Sequence, residues 1–256
     1  PLPGGVPYNK RVSDNIASFV KTRLTDEAKY HEHYIRGTFT RHNLDFTEDV
    51  IHISDSLGSR FISVEPVVAP EDKDFAIRDA DTEIIEKEYE KLAAVLNARR
   101  EEGKPIHFFH FNMDMTAGPC VYKRLKGCGV GAEYCAVTPE GDIYPCHQFV
   151  GEKDMIMGNV KDIYEVIDEN GELKPGASVD KILSEDVRKT FFDRLMPNRP
   201  ACKTCFARYY CGGGCAANRY YSTGSLDSEY ELGCKLTQKR LECSIWLTVA
   251  SARDNL

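Results

Sequence analysis

The sequence predicts an α/β protein, in which part of a (β/α) barrel is followed by a cysteine-rich domain. Strand-like and helix-like segments alternate up to about residue 115, as in parallel βαβ units. Only three such strands are present there, too few to close a barrel. All ten cysteines lie from Cys120 onwards. We therefore predict two domains, residues 1–115 and residues 116–256.

The first domain is expected to contain three helices and three strands. Helical spacing of apolar residues covers residues 13–23, 47–57 and 81–100, and Ser13 and Thr47 are suitable N-caps. Segments rich in β-branched and aromatic residues cover 34–40, 60–68 and 106–111. Since helices alternate with these strands, we expect the strands to lie parallel in one sheet.

The second domain has a different sequence pattern from the first. Residues 136–146 (AVTPEGDIYPC) predict a β-hairpin, because a Pro-Glu-Gly-Asp turn separates two short apolar segments. Residues 151–200 are polar and predict helices with a loop near 170–175, and residues 232–250 predict a final helix. Cys135 and Cys243 occupy positions that any apolar residue could fill, so we interpret both as small core side chains.

The composition of the chain argues against two classes of binding partner. The formal net charge is −7 and the 33 basic residues are scattered, which argues against nucleic acid and acidic membrane surfaces. No apolar segment approaches the roughly 18 residues of a membrane span. The first ten residues, PLPGGVPYNK, show no export signal. We therefore expect a cytoplasmic protein that binds neither nucleic acid nor membrane.

The segment CKTCFARYYCGGGC, residues 202–215, places four thiols within fourteen residues. Thiolates at this density repel one another unless a cation neutralises them, and disulfides at these spacings would be strained. The three glycines at 212–214 allow the backbone to approach an inorganic core and to turn N–H groups towards sulfur. The spacing favours an iron–sulfur cluster over zinc, because only Cys202 and Cys205 form a Cys-x2-Cys pair; zinc remains the alternative.

Seven cysteines and one glycine extend this pattern through the second domain. It reads Cys128-x12-Gly141-x4-Cys146, then the 202–215 segment, then Cys234. This resembles the seven-cysteine signature of the SPASM domain, the C-terminal extension of a class of radical S-adenosylmethionine enzymes. The segments YIRGTFTRHNLDF, SVEPVVAPED, GPCVYKRLKGCG, EYCAVTPEGDIYPCHQFVG and CFARYYCGGGCAAN resemble the maturases of SCIFF peptides, which are short, cysteine-rich ribosomal precursors. Those maturases form thioether crosslinks between a peptide cysteine and a threonine carbon.

The resemblance implies that residues 1–115 are the C-terminal strands and helices of a partial (β/α)6 radical S-adenosylmethionine barrel and that residues 116–256 are a SPASM domain with two auxiliary [4Fe–4S] clusters. It also implies S-adenosylmethionine and, in the full-length enzyme, a third [4Fe–4S] cluster. It implies that the second auxiliary cluster is held by Cys202, Cys205, Cys211 and Cys234. It assigns the first to Cys128, Cys146 and Cys215, with a fourth iron either open to the substrate thiolate or closed by Cys120. The implied partners are a SCIFF-like precursor peptide and an electron donor such as ferredoxin or flavodoxin.

The sequence departs from the family at the motif that makes the radical. No Cys-x3-Cys-x2-Cys is present, and Cys211-x3-Cys215 is followed three residues later by Asn218. With Pro1 as first residue and an incomplete barrel, we expect the C-terminal part of a radical S-adenosylmethionine sactipeptide-type maturase, inactive alone. The alternative is a non-catalytic zinc or iron–sulfur module that recognises a peptide partner.

Two polar residues near the predicted strands are candidate cofactor-binding residues. Arg41 follows a strand, where barrel ligands bind, and the resemblance implies contact with the S-adenosylmethionine carboxylate or ribose. The simpler interpretation is a solvated loop arginine. Glu65 lies within an apolar strand, so it should either face the barrel mouth or pair with a basic residue.

Overall fold

The computed structural model describes residues 8–25, 33–113, 115 and 121–253. The chain divides into two compact units, one of residues 1–118 with 238–256 and one of residues 119–237. The last helix begins in the second unit, and its residues from Gln238 onwards belong to the first unit. In the described part of the chain, no helix combines the length and the apolar character that crossing a bilayer requires.

A three-stranded parallel sheet forms the centre of the first unit. The strands β1 (Ile35–Phe39), β2 (Phe61–Pro66) and β3 (His107–Phe108) lie in that order. Helix α1 (Tyr8–Thr25) precedes them, α2 (Phe46–Leu57) connects β1 to β2, and α3 (Thr82–Glu101) connects β2 to β3. The α/β class and the parallel strand–helix alternation predicted from the sequence are therefore confirmed.

An aromatic core fixes the helices to one face of this sheet. The rings of Phe39 and Phe46 stack with centroids 4.6 Å apart, and Tyr89 lies 5.0 Å from Phe46. All three side chains are fully buried, and each contributes about 1.5–3 kcal/mol or more by leaving water. Because successive strand residues point to opposite faces, Arg36 and Glu65 lie on the other face.

The third strand is shorter than predicted. Only His107 and Phe108 pair with β2, and residues Phe109–Phe111 form a 3-10 turn instead of continuing the strand. The turn is held by the Ser244 hydroxyl, which donates a 2.8 Å hydrogen bond to the carbonyl of Phe111. As a result His110 is turned into the interior, whereas His107 stays exposed and stacks on Phe61 at 4.8 Å.

The second unit contains a small antiparallel sheet and several short helices. Its strands are β4 (Ala136–Val137), β5 (Asp142–Tyr144) and β6 (Gly158–Asn159), in that order. Its helices are α4 (Val121–Lys126), α5 (Ile163–Val166), α6 (Glu185–Phe192), α7 (Arg208–Cys211), α8 (Ala216–Thr223) and the start of α9 (Glu231–Arg253). The predicted hairpin is confirmed. The prediction of helices throughout 151–200 is wrong, because this segment also supplies β6 and 3-10 turns.

Candidate metal centre

Four thiols approach one another around the 202–215 segment; we call Cys202, Cys205, Cys211 and Cys234 the four-cysteine group. Cys202 ends a 3-10 turn, Cys211 ends α7, and Cys234 lies in the first turn of α9. Burial raises the pKa of Cys234 to about 11, and the electrostatic influence of Cys211, Glu229, Cys202 and Cys205 adds to the rise. The pKa of Cys211 is also raised, by burial first and then by Cys202 and Cys205. These thiols therefore interact electrostatically with one another, and as thiolates they would need a cation.

A second set of thiols lies in the same unit; we call Cys128, Cys146 and Cys215 the three-cysteine group. Cys146 follows β5 and is buried, while Cys215 precedes α8. Burial raises the pKa of Cys146, and Cys215 and Cys128 add to the rise. Burial also raises the pKa of Cys215, again with a contribution from Cys128. The structure thus brings together the two sets of residues that the resemblance assigns to separate clusters.

Backbone N–H groups point at several of these sulfurs. The N–H of Gln148 donates to Cys146 Sγ at 3.4 Å, and the N–H of Asn218 donates to Cys215 Sγ at 3.4 Å. The N–H groups of Gly213 and Gly214 act on Cys211 in the same way and oppose the rise of its pKa. Such donors favour the thiolate over the thiol and are one of the means by which proteins tune iron–sulfur sites.

The glycine loop makes a close backbone contact that joins the two groups. Gly212, Gly213 and Gly214 all have positive φ angles, of 66°, 97° and 77°. A Cβ atom on Gly212 would lie 2.6 Å from the Cα of Gly127, so only glycine fits there. Because Cys128 directly follows Gly127, this contact places Cys128 beside the loop that carries Cys211 and Cys215.

The donor set fits an iron–sulfur cluster. Zinc holds four ligands on one ion, with sulfur at about 2.3 Å. Across the described ranges, no three or more His, Cys, Asp or Glu side chains converge in a way that could hold a single metal ion. A [4Fe–4S] cluster takes its thiolates at separate iron atoms. Groups composed of thiols alone, with N–H donors at sulfur, have the donor chemistry of such clusters.

The predicted cofactor-binding residues lie in the first unit and are both ion-paired. Glu65 accepts a hydrogen bond from Arg36 and one of 3.2 Å from Ser63, so it takes the predicted pairing with a basic residue. Arg41 lies 3.4 Å from the carboxylate of Asp81. Asp81 has only 8% of its side chain exposed, so Arg41 is not the solvated loop arginine of the simpler interpretation.

His110 extends this charged network and makes a pH dependence testable. Arg240 Nη1 lies 3.3 Å from His110 Nδ1, and Glu65 lies 3.9 Å from Nε2. Burial, then Arg240 and Arg36, hold the pKa of His110 well below its usual 6.5. The unfolded chain therefore binds the proton more readily. The buried, neutral His110 therefore stabilises the fold fully above about pH 6.5. This contribution to the free energy of unfolding is lost as pH falls towards the folded pKa, by at most about 1.4 kcal/mol per pH unit.

We expect His110→Asn to weaken this pH dependence. Between about pH 7 and about pH 5, the free energy of unfolding in urea should fall less for the variant than for the wild type. His52→Asn, which removes an exposed histidine, serves as control and should keep the wild-type slope. Equal slopes for His110→Asn and wild type would contradict the assignment.

Comparison with known proteins agrees with the geometry of the second unit. Residues 128–206 match the SPASM family model, an iron-sulfur cluster-binding domain. The match begins at Cys128 and includes Cys146, Cys202 and Cys205. No curated protein matches the chain significantly. The thiol groups described above therefore lie in and directly after the matched residues.

Solved structures share the fold over nearly the whole chain. Native anSMEcpe with bound AdoMet and the Kp18Cys peptide aligns at TM-score 0.60 and 16% identity, covering 97% of this chain and 64% of that chain. Native anSMEcpe with bound AdoMet aligns at TM-score 0.59 and 17% identity, covering 96% and 62%. The form with the Cp18Cys peptide aligns at TM-score 0.56 and 16% identity, covering 93% and 62%. This chain thus spans less than two thirds of those proteins, and it shares their mixed α/β fold over the aligned part.

The predictions for the three remaining cysteines compare differently with the structure. Cys120, predicted as an optional fourth ligand, lies outside the described residues. Cys243 is buried, as predicted. Cys135 is exposed, so the prediction of a core position is wrong. It precedes β4 in a turn that follows Gly129, where the chain has not yet entered the sheet.

Sequence reasoning missed two arginines beside the SPASM thiols. Arg199 is 5% exposed and Arg219 is 6% exposed, which is unusual for arginine. Arg199 precedes a 3-10 turn in the segment NRPAC, and Arg219 lies in α8, in ANRYY. Neither segment has an apolar period or a charge pattern that separates a buried arginine from a surface one. Their role depends on which atoms surround them in three dimensions.

Proposed function

We propose that this chain is the auxiliary-cluster part of a radical S-adenosylmethionine peptide maturase, which forms Cys–Thr thioether crosslinks in a ribosomally made, cysteine-rich precursor. The observation that carries the proposal is the division of seven SPASM-region thiols into a group of three and a group of four. Two sites with different numbers of thiol ligands suit two different functions. A site with four thiolates is closed, whereas a site with three thiolates among the described residues has a fourth position, for a substrate thiolate or for Cys120.

The three-cysteine group is the proposed position of the peptide cysteine. When bound there, a cluster would hold the substrate thiolate and take up the electron released as the C–S bond forms. The N–H groups of Gln148 and Asn218 donate to the sulfurs of Cys146 and Cys215 and would support their thiolates on a bound cluster, and Gly127 fixes Cys128 against the glycine loop. Holding both reacting parts of a peptide in place is where a protein contributes most to a radical reaction.

The barrel strands are the proposed position of S-adenosylmethionine. Arg41 and Glu65 lie at the C-terminal ends of two adjacent parallel strands, the edge at which barrels bind ligands. An arginine and a carboxylate match the carboxylate and the amino group of S-adenosylmethionine. The anSMEcpe structures contain AdoMet and a peptide, which supports the same two classes of ligand here. A ferredoxin or flavodoxin is the proposed electron donor.

Iron and acid-labile sulfide content tests the proposal. Protein purified without oxygen should contain about eight irons and about eight sulfides per chain, as expected for two [4Fe–4S] clusters. Cys202→Ala should remove about half of each, because one ligand of the four-cysteine group is lost. The measurement is colorimetric iron and sulfide analysis with EPR of the reduced protein.

Cys135→Ala is the matched control, since it removes an exposed thiol that belongs to neither group. It should leave both contents unchanged. One or two zinc ions per chain without sulfide would contradict the proposal and favour a structural module that recognises a peptide.

A further inference from the structure

Two arginines are buried side by side in the second unit. Both Arg199 and Arg219 direct a guanidinium N–H at the carbonyl of Leu226, at 3.5 and 3.4 Å. Arg219 also donates a 2.6 Å hydrogen bond to the carbonyl of Gly213, in the loop between the two cysteine groups. Arginine is almost never this deeply buried unless an anion accompanies it.

The side-chain carboxylates around this pair do not balance its charge. Glu229 pairs with Arg199 at 2.6 Å, and Arg219 has carbonyl partners in the contacts described. The Nε of Arg199 is buried and has no hydrogen-bond partner. Asp227 also acts electrostatically on both arginines, but it is exposed and pairs with Arg194 at 2.7 Å. Three guanidinium groups thus share two carboxylates, and an uncompensated buried charge is costly. A further anion is needed at this place.

The nearest groups able to supply that anion are the cysteines. Arg199 and Arg219 both interact electrostatically with Cys202, and Arg219 also interacts with Cys234. Arg219 also acts on Cys215, which belongs to the three-cysteine group. Four thiolates around a [4Fe–4S] core carry a net negative charge, which becomes more negative by one unit on reduction. The arginines are therefore placed where negative charge collects.

We propose that Arg219 and Arg199 raise the reduction potential of the cluster bound by the four-cysteine group. The proposal rests on the function proposed above. A fixed positive charge stabilises the reduced cluster more than the oxidised one, because the reduced cluster is more negative. Glu229 acts in the opposite direction, since it is near the same thiols and is negatively charged. The three side chains together set how readily this cluster accepts an electron.

EPR-monitored redox titration of the loaded full chain tests the inference. The signal of the four-cysteine group is identified by its loss in Cys205→Ala. In Arg219→Gln, the ratio of reduced to oxidised cluster at a fixed ambient potential should fall about tenfold, which is about 59 mV for a one-electron couple. In Glu229→Gln the ratio should rise. Arg219→Lys keeps the charge and should restore most of the wild-type ratio.

Arg188→Gln is the control, because it removes the same charge from an arginine paired with Asp180 outside both cysteine groups. It should leave the ratio unchanged.

Opposite shifts for Arg219→Gln and Glu229→Gln cannot arise from a general loosening of the fold. If the Arg219→Gln protein binds no cluster, the ratio of reduced to oxidised cluster in the Glu229→Gln protein becomes the test, since that variant keeps both arginines. Unchanged ratios, or shifts in the same direction, in loaded protein overturn the inference. Absence of iron in the wild type overturns the proposed function, and this inference with it.

Discussion

Gly212→Ala should separate the two cysteine groups and remove about half of the bound iron. The new Cβ would lie 2.6 Å from the Cα of Gly127 and 2.8 Å from its nitrogen. Both are backbone atoms, so no side chain can turn away to make room. Overpacking of this kind costs about 1–3 kcal/mol. The positive φ of 66° adds about 1–2 kcal/mol for any residue with a Cβ.

The iron loss follows from the position of Cys128. Relief of the clash requires Gly127 to move away from the loop, and Cys128 is the next residue. The three-cysteine group would then keep only Cys146 and Cys215, which are too few to hold a cluster. The four-cysteine group should remain loaded, since Cys211 precedes the altered residue and its partners lie elsewhere. Iron and sulfide per chain, with unfolding in urea, measure both effects.

Gly214→Ala is the matched control. Gly214 has a similar φ of 77°, but a Cβ there would meet only Arg219 Nη2, at 3.9 Å. This variant carries the backbone strain without the clash, so it should be destabilised by about 1–2 kcal/mol and remain fully loaded. If both variants lose the same amount of iron, the Gly127–Gly212 contact is not what holds Cys128 in place.

The fold of the first unit could be predicted because its local patterns agree with its tertiary structure. The apolar period of residues 81–100 produced α3, and the β-branched segments produced β1 and β2. The end of β3 could not be predicted in this way. Residues Phe109–Phe111 suit a strand as well as a turn, and the choice depends on Ser244, which lies 133 residues later in the chain.

The candidate site was likewise predicted from the sequence only in part. The density of thiols indicated a metal site, because closely spaced thiols have few other uses, and only the family resemblance assigned them to two groups. The helix α8 was missed, since its N-cap is the sulfur of Cys215, which accepts from the N–H of Asn218, and cysteine is not a usual cap. The buried charges of Arg199 and Arg219 were missed because charge compensation depends on distant segments.

Phe149→Ala should be the most destabilising single change in the second unit, at about 3–5 kcal/mol. Phe149 is fully buried, and its ring contacts those of Phe191, Tyr220 and Tyr221 at centroid distances of 5.5, 5.7 and 6.1 Å. Alanine would leave a cavity surrounded by three rings that cannot all close in. The free energy of unfolding in urea measures the loss, with Phe192→Ala as control. Phe192 is 61% exposed and should change stability by no more than about 0.5 kcal/mol.

The same packing should hold two ligands of the three-cysteine group in position. Phe149 ends the 3-10 turn that follows Cys146, and Tyr220 and Tyr221 lie in α8, which follows Cys215. The hydroxyl of Tyr221 also donates to the carbonyl of Gln148 at 2.8 Å, which joins the two segments a second time. Phe149→Ala should therefore lower iron content under conditions in which the chain is still folded, while Phe149→Leu, which keeps most of the volume, should retain it. A folded Phe149→Ala protein with full iron content would show that the thiols are held by their own backbone hydrogen bonds and not by this core.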